Sequence, residues 1–352
     1  MKMKKITLGC SFLLAATLLI VSCNKKDNVA PEPDLDFQSA KDASFANSAI
    51  IELETIVSYA GDNQFNSNYF AVPSGQALPT ATITNQVDTS GANKKITITY
   101  VDSVRCVDGK KRNGSIIIDY TTSNFSIGGK FYRRPGYVAK VTLNNYWVDG
   151  ILIGQAAPFE IRNTTAFNFN SATTNETWTM DGYFSIKEQN YMQDSSKNMI
   201  WKGKLTKTLL NTSDPSILTA NLNNPINWVV YVNNKPVNGA KVAYTGTITG
   251  VTKRVVSYTY VVDETKTDKA LYRDFTCSPD PLLNVITTPT VSSVYSEWHP
   301  VISGVASFTS LGQGTTEERT IVYGDESGAK PCDNSGVITI KGISYAIDFR
   351  KK

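Results

Sequence analysis

YVAKVTLNNYWV-DG-ILIGQAAPFEIR, residues 137–162, decides the fold class. Ala139, Val141 and Leu143 alternate with Lys140, Thr142 and Asn144, the two-residue period of a half-buried strand. Asp149-Gly150 then supplies the positive φ angles of a tight hairpin turn, and a second apolar run follows. Working toward the N-terminus, KKITITYVDS and GSIIIDYTT have the same period, with Asp108-Gly109 and Gly128-Gly129 as turns. Working toward the C-terminus, WTMDGYFSIKEQ, NMIWKGKLTKTL, INWVVYVNNKPVNGAKVAYTGTITG and VTKRVVSYTYVVDET continue it, with Asn238-Gly239 as a further hairpin signal. VASFTSLG, ERTIVYGD, GVITIKG and SYAIDFR close the chain as four short strands. The expected class is all-β, an antiparallel meander forming a β-sandwich or an open half-barrel, loosely divided into regions 37–172 and 173–352.

One helix interrupts this pattern. In FQSAKDASFANSAIIELETIVSYA, residues 37–60, the residues Ala46, Ala49, Ile50, Leu53, Ile56, Val57 and Ala60 form an apolar stripe at helical spacing. Gly61-Asp62-Asn63 is its stop. The helix is expected to cover part of one sheet.

Upstream lies MKMKKITLGCSFLLAATLLIVSCNKK. Lys2, Lys4 and Lys5 precede an apolar run too short to cross a bilayer, the layout of a secretory signal peptide. Ile20-Val21-Ser22-Cys23 resembles a bacterial lipobox, which implies cleavage after residue 22 and acylation of the Cys23 thiol. Several acyl chains hold a protein to a membrane where one binds only marginally. Residues 23–36, polar and proline-bearing, read as a tether. The expected location is the outer membrane, with the body on the cell surface or the periplasmic face.

Removing residues 1–22 takes away three lysines and no acid, so the formal charge falls from +4 to +1 over the remaining 330 residues. So balanced a chain is not built to displace counterions from nucleic acid. The basic clusters Lys110-Lys111-Arg112 and Lys130 to Arg134 read as solvated strand ends or turns. Cys106, Cys277 and Cys332 remain in the body. Export permits one disulfide among them, and Cys277–Cys332 is favoured because both sit beside turn-rich segments. That bond would contribute about 4 kcal/mol in the chain-entropy model. The alternative is three reduced thiols.

CVDGKKRNGSIIIDY (residues 106–120), NNYWVDGILIG and YGDESGAKPCDNSGVITIKG together resemble uncharacterised lipoproteins of Bacteroidetes-type bacteria. These combine a lipobox, a helix after the tether, a Cys-Asp-Gly turn and a terminal Tyr-Gly-Asp…Cys-Asp element. The resemblance implies an envelope location and a β-rich fold, and it implies no catalytic residue.

Chemistry is sparse. His299 is the only histidine and no CxxC occurs, which leaves little for a zinc site or a histidine relay. No HExxH, Gly-x-Ser-x-Gly or phosphate-loop motif is present. No cofactor is expected. Glu160, Glu176, Glu188 and Glu297 are the carboxylates that a glycosidase would draw on, each more simply a surface residue. Asp325, Glu326, Asp333 and Asn334 could hold Ca²⁺ but lack EF-hand spacing. Tyr132, Tyr137, Tyr146, Trp147, Trp178, Trp201 and Trp228 either pack the core or line a ligand surface. The sequence therefore points to a non-catalytic envelope protein that binds a glycan, an apolar ligand or a protein partner. A carrier of an apolar molecule and a carboxylate-based glycoside hydrolase are the alternatives. An exposed aromatic surface, a deep apolar groove or two facing carboxylates would separate the three.

Overall fold

The computed structural model describes residues 37–63, 82–87, 94–105, 110–121, 132–166, 175–194, 197–219, 221, 224–233, 235–263, 269–277, 301–311, 318–324, 332 and 335–348. Residues 36–352 form one compact unit. Among the described residues the protein is all-β with one α-helix.

The strands β1 (Thr82–Val87), β2 (Lys94–Arg105), β3 (Lys111–Asp119) and β4 (Val138–Val148) run as an antiparallel meander. Next, β5 (Ile151–Gln155) and β6 (Phe159–Asn163) lie end to end in one lane between β4 and β7 (Thr177–Glu188). The sheet continues through β8 (Met199–Leu209) and β11 (Lys241–Val251). A second shared lane holds β12 (Ser257–Val262) and β13 (Leu271–Asp274), between β11 and β14 (Val301–Leu311). Then β15 (Glu318–Tyr323), β16 (Ser335–Ile340) and β17 (Ile343–Asp348) complete fifteen strands among the described residues. The separate hairpin of β9 (Val229–Val232) and β10 (Lys235–Gly239) stands outside this sheet.

Partner exchange explains two glycines. Along β11, residues 241–244 pair with β13 and residues 246–251 with β12. Gly246 sits at the exchange with φ +143, and a Cβ there would lie 2.2 Å from the Lys204 carbonyl oxygen. On β14, Gly304 occupies the corresponding place with φ +126. Only glycine reaches such angles without steric cost. The boundary expected near residue 172 falls between β6 and β7, which pair with each other, so the sheet runs across it.

The helix α1 (Gln38–Asn63) continues through the Gly61-Asp62-Asn63 stop. From Leu53 to Asp62 it is buried around its whole circumference, and Lys41, Phe45, Ser48, Ala49 and Glu52 form a partly buried stripe before that. Ile50, Leu53, Ile56 and Val57 are enclosed, and so are Ser44, Asn47, Glu54, Thr55 and Ser58. Its partners come from across the sheet. Arg112 of β3 pairs with Glu52, and Lys207 of β8 with Glu54. Arg273 of β13 donates to Thr55 Oγ1 at 2.7 Å, and Tyr345 of β17 stacks on Phe37 at 5.1 Å. One sheet is thus curled around the helix as an open half-barrel. Burying each such Leu, Ile or Val side chain contributes about 1.5–3 kcal/mol.

Candidate binding site

The interior of the curl is charged, and several of its charges are paired. The helix carries Asp42, Glu52, Glu54 and Asp62 against the single base Lys41. The surrounding strands and loops supply buried Arg112, Arg133, Lys207, Arg273 and Arg319. Glu54 accepts from Lys207 Nζ, from Ser58 Oγ and, at 3.1 Å, from Tyr244 OH. The Lys207 ammonium lies 5.0–5.2 Å from the ring centroids of Tyr132, Trp178 and Trp228, an aromatic cage filled by the chain's own lysine. Burial holds Lys207 below the usual lysine range, with Glu54 opposing that shift. Burial would likewise raise Glu52, but Lys110 and Arg112 outweigh it and hold that carboxyl at about 2.

Further along the helix, Asp62 Oδ2 accepts from the Ile226 amide at 2.6 Å and from Trp228 Nε1 at 3.1 Å. Burial pushes its pKa up to about 7. Nearby, the Arg133 guanidinium grips Glu176 and donates to the carbonyls of Thr219, Asn221 and Asn224. These groups satisfy one another. The space beside Glu54 and Lys207 is too small for a water molecule, so the interior is packed there.

An open site lies on the outside, where β3, β4 and β5 meet. Lys111, Arg112, Asn113, Trp147, Asp149, Gly150 and Gln189 line a pocket of about 450 Å³. A bulge creates it. Asn113 pairs with Trp147 but Ser115 pairs with Asn144, so β4 carries one residue more than β3 over this stretch. Asn145 takes φ +47 there. The extra residue reverses the inside–outside phase of β4. Val141 faces in before the bulge and Tyr146 after it, and Trp147 is turned toward solvent. Bulges re-aim side chains in this way beside functional sites. Trp147 Nε1 donates to Asn145 Oδ1 at 2.9 Å, which fixes the indole edge. Asp149 Oδ1 accepts from the Lys111 amide at 2.8 Å, which fixes the hairpin of Asp149 (φ +47) and Gly150 (φ +77). The pocket is thus a half-exposed indole ringed by two amides, a carboxylate and an ammonium on a rigid scaffold.

The other candidates fall into place around this pocket. Tyr132, Tyr137, Tyr146, Trp178, Trp201 and Trp228 are core residues. Glu160 pairs with Arg162, Glu176 with Arg133 and Glu188 with Lys253; Glu160 also stands opposite Asp181 in the β6–β7 ladder. Lys110-Lys111-Arg112 is not a solvated cluster: Lys110 and Arg112 reach inward to Glu52, and only Lys111 faces solvent. Arg133, within the second basic cluster, is also buried. Asn238-Gly239 is not a hairpin tip but the end of β10. The β9–β10 turn falls at Asn233 (φ +52), while the Asn238 amide is held by Asp214 and Ser216. Cys277 and Cys332 are joined in a disulfide with Cα atoms 5.3 Å apart. Cys23, Cys106, His299, Glu297, Asp325, Glu326, Asp333 and Asn334 lie outside the described residues. Among the described residues no cluster of three His, Cys, Asp or Glu side chains could hold a metal ion, and no helix is long and apolar enough to cross a membrane.

No family model matches the chain, and neither the curated proteins nor the solved structures contain a significant match to it.

Proposed function

We propose that the protein is an envelope lipoprotein, anchored through acylated Cys23, whose body binds carbohydrate without catalysis at the Trp147 pocket. The observation that carries this reading is the bulge at Asn145, which turns one indole outward and locks it among hydrogen-bonding groups. Sugars present apolar C–H faces that stack on such rings and hydroxyls that the flanking amide and carboxylate groups can bind. A volume of about 450 Å³ lies in the range of small-ligand sites. The carrier reading is weaker because α1 fills the concave side of the sheet. The hydrolase reading is weaker because Glu160, Glu176 and Glu188 are each paired with a cation.

The test is an array of neutral and acidic oligosaccharides probed with the native chain and with Trp147→Ala. Losing the stacked ring should weaken binding about tenfold, since aromatic contacts of this kind are worth roughly 1 kcal/mol or more. Binding that is indifferent to Trp147, or no binding to any sugar, would overturn the assignment.

A further inference from the structure

We infer that the end of the half-barrel where α1 begins is a docking surface for an anionic phospholipid bilayer. The inference rests on the lipid-anchor reading for its orientation, and on the body alone for its chemistry.

Strand register brings the relevant turns together. Val251 of β11 pairs with Ser257 of β12, and Ser257 pairs with Leu311 of β14. Arg319 of β15 pairs with Ile340, which pairs with Ile343 across the β16–β17 turn. On the other side, Val251 pairs with Ile200 near the start of β8, beside the end of β7 and the Gln189–Tyr191 turn. The helix starts at this same end, because the Lys253 ammonium lies 5.8 Å from the Phe45 ring centroid and Phe37 stacks on Tyr345. The described chain therefore begins at this end, at Phe37. On the lipid-anchor reading, this is the end nearest in sequence to the acylated Cys23.

The chemistry of the end fits a membrane interface. Of the nine large apolar side chains exposed among the described residues, Tyr191, Met192, Val255, Leu311 and Ile343 project here. Val255 is the most telling. It is 64% exposed at the tip of the Lys253-Arg254-Val255 turn and takes φ +61. A β-branched residue in the left-handed region costs about 1–3 kcal/mol and persists where something else rewards it. The turn's hydrogen bonds between Thr252 and the Val255 amide and Val256 carbonyl hold the backbone there, while the side chain itself points to solvent. Arg254 and Lys341 flank the apolar tips with positive charge, while Lys253 is paired with Glu188; basic residues beside apolar tips are the combination that holds an interfacial segment on anionic lipid. Leu210, Val232 and Val237, the exposed apolar residues of the opposite end, lie near the β9–β10 hairpin. The Asp149–Gly150 turn of the Trp147 pocket adjoins Gln189 at the membrane-facing end, so sugars carried on lipids are within its reach.

The experiment uses residues 24–352, the mature chain without its lipid, which contains the whole compact unit. Sedimentation with vesicles of phosphatidylethanolamine and about a quarter phosphatidylglycerol should carry the protein down, salt should weaken the binding, and pure phosphatidylcholine should bind less. Val255→Asn with Leu311→Ser should lower the partition about tenfold, while Val237→Ser at the far end leaves it unchanged. Val255→Asn alone should also raise the thermal midpoint, because Asn accepts a positive φ. A fold defect would lower both readouts together. Absence of vesicle binding, or binding that the double variant does not weaken, would overturn the inference. Palmitate labelling of Cys23 reports on the anchor separately, so failure of one reading does not mimic failure of the other.

Discussion

Asp62→Asn isolates the cost of a buried charge. Asp62 is enclosed at the end of α1, and burial raises its pKa from 3.8 to about 7. Below about pH 4 the carboxyl is protonated in both the folded and unfolded states, and it contributes no pH dependence. Between about 4 and 7 the folded state holds a proton that the unfolded state has released, so stability falls as pH rises through that window. Above about 7 both states are ionised and the slope vanishes. Two pH units between 5 and 7, at 1.36 kcal/mol each, amount to a loss of about 3 kcal/mol. Asparagine stays neutral throughout, and its carbonyl can still accept from the Ile226 amide and Trp228 Nε1. Urea unfolding of both proteins at pH 5 and pH 8 reads the difference. The variant should gain about 3 kcal/mol on the wild type between those two pH values. A stability difference that is the same at both would refute the buried-charge argument.

Other perturbations test the remaining interior and the outer pocket. Lys207→Met should destabilise by about 3–5 kcal/mol by stranding Glu54, and Lys207→Met with Glu54→Leu should recover most of that loss in thermal melts. Gly246→Ala should cost several kcal/mol, because its Cβ would meet the Lys204 carbonyl at the point where β11 changes partners; a melt within about 1 °C of wild type would contradict this. Trp147→Ala should leave stability almost unchanged while reducing sugar capture, since the indole is only partly buried.

The strands were legible because a half-buried sheet imposes a two-residue period on its own sequence. The Asp149-Gly150 hairpin was legible for an equally local reason, the need for positive φ. What alternation could not reveal is partner exchange: β5 with β6, and β12 with β13, each share a lane that only long-range pairing defines. The helix's apolar stripe was readable, but nothing local marked its polar faces as buried too. Their partners Arg112, Lys207 and Arg273 lie 60, 153 and 218 residues further along the chain. The same blindness made Lys110–Arg112 look like a solvated strand end. Trp147 stood among seven strand aromatics with no mark of its own. Strict alternation from Ala139 and Val141 points it inward, and the bulge at Asn145 reverses that. The consecutive Asn144-Asn145 before two aromatics was the available signal, since Asn tolerates the left-handed region where most residues do not.

The claim that the protein works at a membrane stands on Cys23. Intact-mass analysis of the protein extracted from its native membranes tests it directly. The account expects a chain beginning at Cys23, heavier than residues 23–352 by two or three acyl groups and a glycerol linkage, and retained by detergent extraction. A soluble chain beginning elsewhere, or one with an unmodified Cys23, would contradict it.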